Sequence, residues 1–165
     1  MYIYSPMKVL KYSPFYLLLL SFNFTTKPVP KVNYEQLESI CRKNNDTLYI
    51  VNYWATWCKP CVGEMPCFFD AAKKFKAQKV KVVFVSLNAL KESALVEKFI
   101  TNKKIEQDVF LLNAGNPNVW IDKVDPVWGG SIPATVMYKQ KEKLFFKEGE
   151  FTQAELDSII NLKLK

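Results

Sequence analysis

The chain has 165 residues, of which 49% are hydrophobic and 15% aromatic, a composition that supports a packed core and excludes a disordered chain. The net charge is +7, and its lysines are scattered rather than striped with aromatic residues, so we predict no nucleic-acid binding. No histidine is present, which excludes histidine metal ligands and Ser-His-Asp or Cys-His catalysis.

The first 26 residues have the pattern of an export signal. Lys8 and Lys11 form a short basic region, and an apolar run follows over residues 14–24. That run is shorter than the roughly 20 residues of a membrane-spanning helix, but it fits a signal-peptide core of about 7 to 15 residues. We therefore predict that residues 1–26 are a signal peptide or membrane anchor and that the protein is exported to the periplasm or cell envelope. The alternative is an apolar arm packed on the body of the protein.

Residues 27–32 contain two prolines and little periodicity, which predicts a linker. Residues 33–165 are predicted to form one domain. Asn33 and Gln36 have the spacing of a capping box, which predicts the start of a first helix. The apolar face of this helix is formed by Leu37, Ile40 and Cys41.

The remaining pattern alternates strands with helices. Leu48–Trp54 and Val80–Leu87 are dense apolar runs, typical of strands that are buried on both faces. The elements predicted around them are a helix from the cysteine motif to about Lys79, a helix over Glu92–Lys103, a short strand over Val109–Leu112, a turn-rich loop over Asn113–Asn118, a hairpin over Thr135–Tyr138 and Lys143–Lys147, and a final helix that starts at the Thr152–Glu155 capping box. This order predicts an α/β fold, a three-layer sandwich with a mixed central sheet.

Cys58 and Cys61 follow directly after the first buried strand, where a helix is predicted to begin. The unpaired N–H groups and positive dipole end of a helix amino terminus favour a thiolate, and Lys59 adds a nearby positive charge. We therefore predict that Cys58 is reactive, with its pKa lowered toward the range of about 3.5–7.5 found for cysteines in such places. Pro60 fits the first helical turn and stiffens the loop, so Lys59 and Pro60 are predicted to tune the redox potential. Cys61, one turn further on, is suited to resolving a mixed disulfide.

Two alternatives for the cysteines remain open at this point. One is a zinc site, although the C-x16-C-x2-C-x5-C arrangement is not the spacing of paired zinc knuckles. The other is a structural disulfide between Cys41 and Cys67. Both residues are predicted to act as buried small hydrophobic groups, and we predict no metal and no cofactor.

The segment W-A-T-W-C-K-P-C-V-G-E-M-P, residues 54–66, closely resembles the active-site segment of exported thioredoxin-like proteins of the TlpA/ResA type. Residues 131–135, S-I-P-A-T, resemble the cis-proline loop of the same family. The resemblance extends over about residues 33–163. It implies a thioredoxin fold with an extra helix–strand insertion, which matches Glu92–Leu112 in this chain.

The resemblance also implies residue roles. Cys58 would be the surface nucleophile and Cys61 the resolving cysteine. Trp57 would shield the sulfurs, and Ile132 with a cis Pro133 would bind an extended substrate strand. The role of Trp54, by contrast, is expected to be core packing.

The residue types at positions 52 and 64 resemble the TlpA-like branch rather than thioredoxins proper. Thioredoxins proper carry a buried acid where this chain has Asn52, whereas the TlpA-like branch commonly has asparagine there and a glutamate placed like Glu64. Glu64 would then accept a proton from Cys61 as the mixed disulfide is resolved. The alternative for Glu64 is an ordinary solvated position on the helix.

The function implied is that of a cell-envelope thiol–disulfide oxidoreductase that reduces protein disulfides and takes part in cell redox homeostasis. Its partners would be disulfide- or thiol-bearing proteins and a membrane electron donor or acceptor, with membrane contact only through an uncleaved leader. A disulfide-introducing oxidant would use the same residues. A thioredoxin-like binding domain without catalysis is a further alternative, and a peroxidase is disfavoured because it needs no second cysteine three residues on.

Overall fold

The computed structural model describes residues 28–113 and 115–165. The predicted leader over residues 1–26 lies outside these described residues. None of the helices in the described ranges is long and apolar enough to cross a membrane.

In the described part of the chain, six strands form one mixed sheet, flanked by five α-helices. In chain order the elements are β1 (Lys31–Val32), α1 (Tyr34–Cys41), β2 (Leu48–Trp54), α2 (Lys59–Lys74), β3 (Val80–Ser86), α3 (Ser93–Lys103), β4 (Asp108–Leu112), α4 (Pro117–Val124), β5 (Ala134–Lys139), β6 (Glu142–Glu148) and α5 (Gln153–Leu164). The order across the sheet is β1-β4-β3-β2-β5-β6. The first four strands in this order are parallel, β5 pairs antiparallel with β2, and β6 pairs antiparallel with β5.

The two faces of β2 explain the three layers. Every residue of β2 is buried, and alternate side chains point to opposite sides of the sheet. Leu48, Ile50 and Trp54 pack with α2, α3 and α5 on one side. Tyr49, Val51 and Tyr53 pack with α1 and α4 on the other side. The predicted three-layer sandwich with a mixed sheet is therefore confirmed, and so is the core position of Trp54.

Two predicted helix caps are present. The Asn33 side chain accepts a hydrogen bond from the Gln36 backbone, and the Gln36 side chain accepts one from the Asn33 backbone. Thr152 caps α5 by accepting from the Glu155 backbone N–H at 3.3 Å. The predicted insertion is also present as α3 and β4, which place β4 between β3 and β1.

The structure differs from the predicted linker over residues 27–32. Lys31 and Val32 form β1 and pair with the end of β4. Val29 is buried, and its backbone N–H donates to Glu97 Oε1 at 3.2 Å. Pro28 and Pro30 flank Val29. Burial of Val29 and Val32, together with the pairing of β1 with β4, holds this segment on the edge of the sheet.

Two predicted boundaries also differ. The helix after the cysteine motif ends at Lys74, and a 3-10 turn over Lys76–Gln78 leads into Lys79, which has a positive φ of 59°. The loop predicted over Asn113–Asn118 gives way to α4 at Pro117. The side chain of Asn116 caps α4, and burial of Trp120 and Val124, which lie one turn apart, fixes this helix against the sheet.

Candidate active site

Cys58 lies at the amino-terminal cap of α2 and is joined to Cys61 by a disulfide with a Cα–Cα distance of 5.3 Å. The backbone N–H of Cys61 faces Cys58 Sγ at 3.3 Å. This is the junction that favours a thiolate, because an unpaired helix N–H points directly at the sulfur. Lys59 and Pro60 occupy the first two positions of α2, and both are exposed.

The two sulfurs differ in their access to solvent. Cys58 is 6% exposed and Cys61 is completely buried. The surface position implied for Cys58 is therefore limited to a small opening, because Cys58 packs with the core beneath α2. Trp57, the residue before Cys58, is 64% exposed, so most of its side chain is accessible at the surface.

The loop before β5 lies against the disulfide. The Ile132–Pro133 peptide bond is cis, and the Ile132 carbonyl oxygen lies 3.7 Å from Cys58 Sγ. Two hydrogen bonds hold this loop: Trp128 Nε1 donates to the Ser131 carbonyl at 2.8 Å, and the Gly149 N–H donates to the Pro133 carbonyl at the same distance. The structure thus brings together Cys58, Cys61, Ile132 and Pro133, which are far apart in the sequence.

Glu64 is buried one helical turn after Cys61, and so the alternative of a solvated helix position is wrong. Its carboxylate accepts hydrogen bonds from Asn52 Nδ2 at 2.8 Å and from the Phe151 N–H at 2.7 Å. Burial raises the pKa of Glu64, and the two hydrogen bonds oppose part of that rise. A buried carboxyl with a raised pKa beside a redox dithiol is suited to accept and return a proton.

Asn52 connects Glu64 to the proline loop. Asn52 Nδ2 also donates to Thr135 Oγ1 at 3.1 Å, and Thr135 is the last residue of the S-I-P-A-T segment. Asn52 Oδ1 is buried and has no hydrogen-bond partner among the described residues. The sequence pattern singles out Asn52 but not the Thr135 side chain, whose position directly across from Asn52 depends on the register of β2 and β5.

The other cysteines are apart from this site. Cys41 is the last residue of α1 and is buried on the opposite face of the sheet, and burial raises its pKa to about 12. Cys67 is half-buried on α2, and its thiol faces the Phe151 carbonyl at 3.8 Å. Both thiols are free, so the structure contradicts a Cys41–Cys67 disulfide.

Comparison with known proteins identifies the family. A sequence profile of the AhpC/TSA family matches residues 23–145. The chain belongs to the AhpC/TSA family. This agrees with the thioredoxin-like resemblance of the active-site segment.

Two relatives of the chain are named as thiol-disulfide oxidoreductases. The thiol-disulfide oxidoreductase ResA of Bacillus cereus is 27% identical over 115 residues, which are 67% of this chain and 60% of the relative. The sporulation thiol-disulfide oxidoreductase A of Bacillus subtilis is 32% identical over 79 residues, 47% of this chain and 48% of the relative. In neither alignment does the chain span two thirds of the relative's length.

Solved structures support the same fold. The crystal structure of StoA from Bacillus subtilis matches with a TM-score of 0.56 and 26% identity, over 70% of this chain and 83% of that protein. The fold of this family member is therefore the thioredoxin fold, as the resemblance implied.

Proposed function

We propose that this protein is a thiol–disulfide oxidoreductase that reduces protein disulfides through Cys58 and Cys61. The observation that carries the proposal is the cysteine pair at the start of α2, with the Cys61 N–H facing Cys58 Sγ and the Ile132 carbonyl beside it. Family membership and the names of the relatives support the same reaction.

The reaction is a pair of sulfur exchanges. The Cys58 thiolate attacks one sulfur of a substrate disulfide, forms a mixed disulfide, and releases the other substrate sulfur as a thiolate that takes up a proton. Cys61 then loses its proton to Glu64 and attacks Cys58 Sγ. This step forms the Cys58–Cys61 disulfide and releases the second substrate thiolate. Two electrons pass to the substrate. A thiol donor must then supply two electrons to reduce the Cys58–Cys61 disulfide again.

Substrate contact is proposed at the edge formed by Trp57 and the proline loop. Trp57 offers an exposed ring beside the disulfide, and Ile132 offers backbone groups to an extended chain. Lys59 and Pro60 would tune the potential from the first turn of α2. We also propose an exported protein that receives electrons from a donor in the membrane, a proposal that rests on the leader pattern of residues 1–26.

Insulin reduction tests this function. The wild-type chain, recycled by dithiothreitol, is expected to accelerate precipitation of the insulin B chain above the rate with dithiothreitol alone. Trp57→Ala should raise KM for insulin several-fold and leave the reaction with a small aromatic disulfide unchanged, because only a polypeptide extends across the ring. A wild-type rate equal to the dithiothreitol background would contradict the oxidoreductase function.

A further inference from the structure

Asn88 lies just after β3 and is 2% exposed. Its Oδ1 accepts hydrogen bonds from the Thr56 N–H at 2.9 Å and the Ser86 hydroxyl at 3.0 Å. Its Nδ2 donates to Thr56 Oγ1 at 2.8 Å and to Glu92 Oε2 at 3.0 Å. An asparagine amide has two donor and two acceptor positions, so the hydrogen-bonding capacity of Asn88 is fully used.

Two of these four bonds go to Thr56, which lies in the turn that leads to the nucleophile. In that turn the Cys58 N–H donates to the Ala55 carbonyl at 3.1 Å. Trp54, the last residue of β2, is also held, because its carbonyl accepts from the Leu87 N–H at 2.8 Å. The path from the end of β2 to Cys58 is therefore tied to the segment after β3 by both backbone and side-chain contacts.

Glu92 extends this network to the insertion. Its carboxylate accepts from Asn88 and from the Ala89 N–H at 3.1 Å, just before α3 begins. The start of the helix–strand insertion thus shares hydrogen bonds with the turn before Cys58. Buried polar groups that are fully paired define one geometry, because any displacement leaves a donor or acceptor unpaired.

We propose that Asn88 is a positioning residue for the nucleophile: by fixing Thr56 it holds the Cys58 sulfur at the amino terminus of α2, opposite the Cys61 N–H. The inference rests on the proposed function. It predicts that the reactivity of Cys58, and not only the stability of the fold, depends on a side chain that does not touch either sulfur. Stabilisation of a thiolate by helix N–H groups falls off within the first turn, so a loosened turn weakens it.

The test is the pH profile of Cys58 alkylation in the reduced full-length protein. Iodoacetamide modification of Cys58 is followed by peptide mass spectrometry in wild type, Asn88→Ala, Thr56→Val and Ser86→Ala. Asn88→Ala is expected to move the midpoint of the profile upward by about one pH unit, and so to lower the rate about tenfold at pH values well below the wild-type midpoint. Thr56→Val, which keeps its backbone bond to Asn88, should give a smaller shift in the same direction. Ser86→Ala removes two hydrogen bonds to Asn88, one to its side chain and one to its backbone N–H, but none to Thr56. Its profile should match wild type, because both bonds from Asn88 to Thr56 remain.

Thermal unfolding of each variant separates reactivity from stability. If Asn88→Ala lowers the melting temperature while its alkylation profile stays that of wild type, the positioning role is wrong. Should Asn88→Ala fail to fold, an unshifted profile for Thr56→Val overturns the proposal instead. Alkylation needs no substrate disulfide, so a shifted profile in a protein that does not reduce insulin contradicts the proposed function and leaves the positioning role standing.

Discussion

Replacing Cys58 with serine is expected to lower the rate of insulin reduction by a factor on the order of 10³ or more. A serine hydroxyl is protonated at neutral pH and cannot form a mixed disulfide, so the first exchange is lost. The matched control is Cys67→Ser, which changes a free cysteine on the same helix and keeps a donor for the Phe151 carbonyl. Cys67→Ser should retain the wild-type rate. A Cys58→Ser variant that still reduces insulin would mean that another group makes the attack.

Cys61→Ser is the companion experiment. Cys58 can still attack in this variant, but no thiol remains one turn away to release the substrate. Mixed disulfides between Cys58 and its partners should therefore accumulate, and mass spectrometry of complexes captured from cells would identify the substrates. Failure to recover any covalent partner counts against Cys58 as the attacking sulfur.

Glu64→Gln is expected to slow the resolution of the mixed disulfide about 10²-fold, since positioned proton transfer contributes roughly 10²–10⁴-fold to rates. Glutamine keeps an oxygen that accepts from the Phe151 N–H, and its amide N–H donates to Asn52 Oδ1 once the Asn52 amide turns over, so the side-chain volume is kept and the proton acceptor is lost. Asp70→Asn, an exposed carboxyl on the same helix, is the control. Stopped-flow resolution rates equal to wild type would show that Glu64 takes no part in proton transfer.

The pH dependence of stability provides a second measure of Glu64. Burial raises its pKa above the ordinary value of 4.5, so the folded chain binds this proton more tightly than the unfolded chain does. The resulting stabilisation is fully present below the unfolded pKa and is lost as the pH rises through the folded pKa. Urea unfolding of wild type should therefore show stability falling over this window relative to Glu64→Gln. Parallel curves for the two proteins would contradict a raised pKa.

Much of the fold follows from local patterns in the sequence. The buried run of β2, the capping box at Asn33 and the Thr152 cap of α5 depend on neighbouring residues, and the structure contains them. The reciprocal half of the box predicted at Thr152 is absent, because the Glu155 carboxylate accepts from Lys147 instead. The cysteine pair could be placed at the start of a helix for the same reason. The dense apolar run ends at Trp54, and apolar residues at helical spacing follow soon after Cys58.

The remaining features depend on contacts between distant segments. Burial of Glu64 requires the Phe151 backbone, which is 87 residues away in sequence. Asn88 meets Thr56 only because β2 and β3 are adjacent and parallel. The sequence does not predict β1, because Lys31 and Val32 are too short a stretch to show a periodicity, and they form a strand only by pairing with β4. A polar residue directly after a buried strand is the one signal that could have pointed to Asn88.

The redox potential of the Cys58–Cys61 pair tests the central claim most directly. The oxidised protein is equilibrated with defined ratios of reduced and oxidised dithiothreitol or glutathione, and the fraction of dithiol is measured after acid quenching and alkylation. A single two-electron transition is expected at a potential between about −180 and −270 mV, the range from protein disulfide isomerase to thioredoxin. A potential above about −150 mV, or no exchange with either buffer, would contradict a disulfide reductase.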